Sequence, residues 1–183
     1  MPSRLESFFK AIVWPLVAVT LGVYLAMVLW SLPQLQTYSD GQLAFDLRPM
    51  GYGYEDAQSL ISALGPDGIN FYLGIQQFLD LFYPALMALT LFVSIALLLP
   101  KNFGIWRLIL PWIAFPGAAF DYAENTAVRE MLLGGPEGLD PTLVAWASQA
   151  SQMKALFSSM AMLLLAVLLL RWGWRRLRGA RES

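Results

Sequence analysis

Neither cysteine nor histidine occurs anywhere in the 183 residues. Without cysteine the chain has no disulfide, no thiol redox chemistry and no thiolate site for zinc or iron–sulfur clusters. Without histidine it lacks the usual haem and zinc ligand, the Ser-His-Asp relay and the side chain best suited to proton transfer near neutral pH. Quinone-linked thiol enzymes and haem-bearing four-helix subunits need these residues, so both classes fall away. Acid–base chemistry is left to Asp, Glu, Lys and Tyr. Charge is scarce as well, 14% of residues against roughly 25% in an ordinary globular chain. Apolar residues make up 57%, and the mean hydropathy is +0.54. The length suits one domain, and the composition points to a membrane.

A membrane span takes about 20 mostly apolar residues. Four runs qualify, at about 11–31, 76–99, 105–127 and 149–171. The first follows a basic start, Arg4 and Lys10, but its apolar stretch exceeds that of a signal peptide and no small-x-small cleavage site follows, so it reads as a retained anchor. The expected fold is all-α: a polytopic four-transmembrane-helix bundle. The linking segment 32–72 holds Tyr54, Ala57, Leu60, Ile61 and Leu64 at helical spacing, ended by "GPDG". This predicts a short extracytoplasmic amphipathic helix over 54–64, between spans one and two. It is expected to cap the bundle, either as a lid or simply to bury its own apolar face.

The net charge of −1 hides an asymmetry along the chain. With the N-terminus inside, nine of the twelve basic residues (Arg4, Lys10, Lys101, Arg107, Arg171, Arg175, Arg176, Arg178 and Arg181) fall on the cytoplasmic side. Eleven of the thirteen acids fall outward, all but Glu6 and Glu182. The positive-inside rule then places both termini in the cytoplasm, in a cell membrane of the bacterial inner-membrane type. The basic tail, with Trp172 and Trp174, is expected to rest on anionic lipid; nothing in it suggests nucleic acid.

Against this background, "GAAFDYAENTAVRE" (117–130) stands out. Asp121, Glu124 and Asn125 fall at i, i+3 and i+4 and share one helix face. Counting about 1.5 Å per residue from Arg107 puts Asp121 roughly 21 Å and Glu124 about 26 Å along a core about 30 Å thick. The second span brings Gln76, Gln77, Asp80 and Tyr83 to the same level, and the fourth brings Lys154. Arg129, one turn beyond, is expected to pair with Glu124 or Asn125. Carboxylates at this depth face the bundle interior and take a partner, because facing lipid costs several kcal/mol.

These residues predict a polar pocket near the outer leaflet that binds or converts a lipophilic small molecule, lipid or isoprenoid-like. Asp121, Glu124 and Lys154 are the expected acid–base groups. Asp80, Asn125, Tyr83, Tyr122, Gln76, Gln77 and Arg129 are the expected ligand contacts. Membrane lipid is the expected partner. Carboxylates also suit Mg²⁺ or Ca²⁺, but no binding loop is present and Lys154 opposes a cation, so no cofactor is expected. Two other readings fit the same residues. In one the chain is a small transporter, which with four spans calls for a homodimer. In the other it is a structural subunit whose ion cluster only fixes helix packing. "GAA" is expected to admit a neighbouring helix closely.

Overall fold

The computed structural model describes residues 4–179, so Arg181 and Glu182 of the charge count lie outside the described residues. Every regular element among the described residues is helical. The first helical run comprises α1 (Arg4–Ala26), a π turn (Met27–Ser31) and α2 (Leu32–Tyr38). After a loop holding a 3₁₀ turn (Phe45–Leu47) come α3 (Tyr54–Phe71), a second π turn (Tyr72–Gln76) and α4 (Gln77–Leu98). α5 (Trp106–Ile109) leads through a 3₁₀ turn into α6 (Ala114–Gly134), and α7 (Pro141–Gly179) completes the fold.

Three runs are long and apolar enough to cross a membrane: Arg4–Tyr38, Tyr54–Leu98 and Pro141–Arg178. Large apolar side chains such as Trp14, Leu29, Leu163 and Leu170 stand exposed along them. Such a surface is at home in lipid, since a soluble monomer rarely carries so large an apolar patch. The remaining apolar run, the third in the chain at about 105–127, behaves differently. It is divided at the 3₁₀ turn around Pro111, and α6 carries Asp121, Glu124, Arg129 and Glu130 along its length.

The segment 54–64 is helical and buries Ala57, Leu60, Ile61 and Leu64. The Gly53 amide donates to Asp56 Oδ2 at 2.9 Å and fixes its start. At Gly65 the backbone turns (φ 60°, ψ −176°), a conformation open to glycine and strained for other residues. No loop follows, however. Pro66 suits the first turn of a helix, where its missing N–H costs nothing, and the chain runs on helically into α4. The helices therefore reach well past the apolar runs, because Gly65-Pro66 bends the chain without ending the helix.

α1 packs against α4, α4 against α6 and α7, and α6 against α7. α1 and α7 do not pack closely on one another, which leaves a gap between them. Gly117 makes the α6–α7 crossing tight: a Cβ there would lie 2.5 Å from Ser158 Oγ and 3.2 Å from the Ser158 nitrogen. α7 starts where Asp140 Oδ1 accepts the Thr142 amide at 2.8 Å, with Pro141 in the first turn.

The apolar interior falls into two parts. The larger joins the cap (Phe45, Tyr52, Leu60, Ile61) to Met27, Leu35, Met131 and Val144. The smaller lies toward the chain termini and includes Leu91, Ile95, Ala114, Ala161 and Leu168. Along α4, α6 and α7 the four residues Asp80, Asp121, Glu124 and Lys154 fall between these two parts.

Candidate functional site

Lys154, on α7, is the hub. Its Nζ lies 2.5 Å from Glu124 Oε2, 3.3 Å from Asp121 Oδ1 and 3.9 Å from Asp46 Oδ1. Asp121 and Glu124 reach it because their spacing puts both on the α6 face turned to α7. Asp46 arrives from the 3₁₀ turn of the cap, held by the Tyr72 hydroxyl, which donates to its Oδ2 at 2.7 Å. Ser151, one turn before Lys154, donates to Glu124 Oε1, and Asn125 Nδ2 donates to Asp121 Oδ1 at 3.2 Å. Oxygens of Asp46, Asp121 and Glu124 all fall within 4.8 Å of one another. That spacing would suit an oxygen-coordinated divalent ion, but the ammonium of Lys154 supplies a cation to the same three carboxylates.

Asp80 is held apart from this hub. It lies on α4, 3% exposed, and its Oδ2 accepts a hydrogen bond from Gln76 Nε2 at 3.0 Å. Gln76 is positioned in turn by Ser31, whose hydroxyl donates to Gln76 Oε1 at 2.7 Å. Ser31 and Gln76 close the two π turns, which lie side by side. π turns are rare and recur at functional sites, since they re-aim side chains within an otherwise regular helix.

A cavity of about 290 Å³ opens in the gap between α1 and α7. Its polar end presents Asp46, Asp80, Asp121 and Lys154; its walls include Met27, Tyr83, Met87 and Met162. Tyr83 stacks with Tyr24 at 6.0 Å between ring centroids, and both line the cavity. Glu124 is fully buried and does not line it, so its contact with Lys154 holds the ammonium from behind. On the other side of α4 a cleft of about 210 Å³ is lined by Gln77, Asp80, Tyr122, Asn125 and Arg129. Asp80 borders both spaces.

The expected ligand contacts thus divide into two groups. Asp80 and Tyr83 line the cavity, while Gln77, Tyr122, Asn125 and Arg129 line the cleft. Gln76 touches the cavity only through Asp80. The Tyr122 hydroxyl donates to the Leu81 carbonyl at 2.8 Å and ties α6 to α4. Arg129 does not pair with Glu124 or Asn125: its guanidinium donates to Gln77 Oε1 at 3.1 Å, and Gln77 Nε2 donates to the Asn125 carbonyl at 3.1 Å. One turn beyond the cluster, Arg129 is already on the exposed side of α6, where Gln77 is the acceptor in reach.

Sequence reasoning missed Asp46, Ser31, Ser151, Tyr52 and Tyr72. Asp46 alone carried a signal, as a single carboxylate between Phe45 and Leu47 in the apolar stretch "LAFDL". Tyr52 docks the cap on α7, its amide donating to Ser148 Oγ at 2.9 Å. Burial, then the negative charges of Glu124 and Asp46, push its phenol well above the usual range, so it stays neutral. Buried carboxylates beside a buried ammonium in a cavity are the usual setting for proton transfer. Compared with protein-family models, curated proteins and solved structures, the chain matches none.

Proposed function

We propose that this chain is a four-span membrane protein that binds a lipophilic small molecule in the cavity between α1 and α7. The observation that carries the reading is the cavity's two-ended character: apolar walls along the lipid-facing helices, and carboxylates with an ammonium at one end. A ligand entering from the bilayer through the α1–α7 gap would bury its body against Met27, Met87 and Met162 and place its polar group beside Asp121 and Lys154. Ligand sites commonly combine apolar walls with a few convergent polar groups. The proposed chemistry is proton exchange at Asp121, with Lys154 holding the charge that develops and Glu124 holding Lys154. The proposed third span is the run at about 105–127, whose carboxylates Asp121 and Glu124 turn to Lys154 on α7. The charge asymmetry supports an orientation with both termini cytoplasmic and the cap outside.

The competing reading is a purely structural cluster, favoured by the way Lys154 joins α6, α7 and the cap. The experiment that separates them is purification in mild detergent followed by mass spectrometry of co-purifying lipophiles. Ser159→Trp, at an exposed position lining the cavity, plugs it without touching the cluster. A lipophile present in the native protein and absent from this folded variant supports binding. Preparations equally empty, with Asp121→Asn losing only stability, would leave the structural reading.

A further inference from the structure

We infer that the ligand's polar group is cationic, an alkylammonium-like head seated against Asp80; this rests on the lipophile-binding reading above. Three buried or largely buried carboxylates, Asp46, Asp121 and Glu124, gather around Lys154, and a fourth, Asp80, lines the same cavity as Lys154. Lys154 satisfies three of them. Asp80 has no cationic partner among the described residues, and a neutral amide is its one hydrogen-bond donor. Among the described residues its second oxygen has no hydrogen-bond partner, and the side chain borders the cavity. A carboxylate buried without a counter-charge is costly as an ion and takes up a proton instead, unless a cation is brought to it. Of the two spaces that Asp80 borders, the cleft already holds Arg129, which is bound to Gln77, and the cavity beside Tyr24 and Tyr83 is the one with apolar walls for a cation's alkyl body.

The walls suit the same occupant. Stacked Tyr24 and Tyr83 adjoin Asp80, and aromatic rings attract organic cations. Met27, Met87 and Met162 supply polarisable apolar surface for an alkyl body. An anionic head would meet three lining carboxylates against one ammonium. A neutral head would leave Asp80 without a charge partner, so that the carboxyl would have to carry a proton. A cationic head completes two cation–carboxylate groupings, Lys154 with its three and the ligand with Asp80.

The test uses the full-length protein in detergent at pH 7, with three probes of equal chain length: n-octylamine, n-octanol and n-octanoate. Binding is read from the melting curve followed by tryptophan fluorescence. The expected result is stabilisation by octylamine at a concentration at least about tenfold below that needed for octanol, a difference of about 1.4 kcal/mol. Octanoate should have no effect. Asp80→Asn should bring octylamine to the octanol level and leave octanol unchanged, while Ser159→Trp should abolish both responses. If Asp80→Asn does not fold, Tyr24→Leu serves instead and should weaken octylamine selectively. Equal potency of amine and alcohol in the native protein, or an amine preference that survives both Asp80→Asn and Tyr24→Leu, would overturn the inference while leaving a lipophile site. Absence of any response to all three probes would remove the lipophile site and the inference with it.

Discussion

Lys154→Met keeps the length and much of the apolar stem of the side chain while deleting the one cation among the described residues within 4.0 Å of Asp46, Asp121 and Glu124. The three carboxylates then face each other with oxygens no more than 4.8 Å apart. At an effective dielectric near 20, each pair of negative charges at that distance repels by about 3.5 kcal/mol. Three such pairs sum to about 10 kcal/mol, comparable with the whole stability of a typical fold, so the cluster must take up protons or loosen. Breaking a buried ion pair by removing one partner costs roughly 3–5 kcal/mol, which we take as the expected loss. At about 2–4 °C per kcal/mol for a chain of this size, the melting temperature should fall by roughly 6–20 °C. Intrinsic tryptophan fluorescence reads this directly, with seven tryptophans and no cysteine for a thiol dye. The double variant Lys154→Met/Glu124→Gln removes one of the stranded charges and should recover several degrees. A single-variant loss under about 2 °C, or losses that simply add in the double variant, would refute the hub.

Two further predictions concern the frame around the site. Gly117→Val should destabilise by about 1–3 kcal/mol in thermal melting, because its side chain would press on the backbone of Ser158; an unchanged melting point would show that the α6–α7 crossing has room to spare. Among the described residues the buried Tyr52 hydroxyl meets no partner in full hydrogen-bonding geometry, although the Ser151 side chain lies beside it, so Tyr52→Phe should cost no more than about 1 kcal/mol at pH 7, and a larger loss in thermal melting would show that the phenol is firmly bonded. Since the folded state holds that phenol neutral while the unfolded chain ionises near pH 10, native stability should fall as pH rises past about 10, and Tyr52→Phe should flatten that slope.

What could be read in advance is whatever a regular helix dictates. Asp121, Glu124 and Asn125 share a face by spacing alone, and counting the rise along α7 is enough to bring Lys154 to their level. The residues that escaped are those set by irregular structure. Asp46 belongs to a loop with no periodicity, and the packing of Phe45 in the cap core together with the Tyr72 hydroxyl carries it into the cluster. Ser31 and Gln76 owe their pairing to two π turns, which leave no mark in composition or hydropathy. "GPDG" signals a break, yet whether the chain then leaves the helix or resumes it depends on what Pro66 packs beside. Arg129 was tied to its own helix because same-helix neighbours are easy to count, whereas Gln77 lies on α4.

The π turns also bear on how one chain meets two surroundings. A π turn carries an extra residue in a helix that otherwise advances about 100° per residue. Above the turn at Tyr72–Gln76, α3 offers its apolar face to the cap; below it, α4 must give one face to the bundle and another to lipid. The inserted residue resets the rotational phase between these two demands. Removing one residue from the turn, such as Gly74, would leave a continuous helix with an unaltered apolar run. Either the cap or Asp80 would then point the wrong way. The phase of that helix, rather than its length or greasiness, is what lets a water-type core and a membrane-type core share a single backbone.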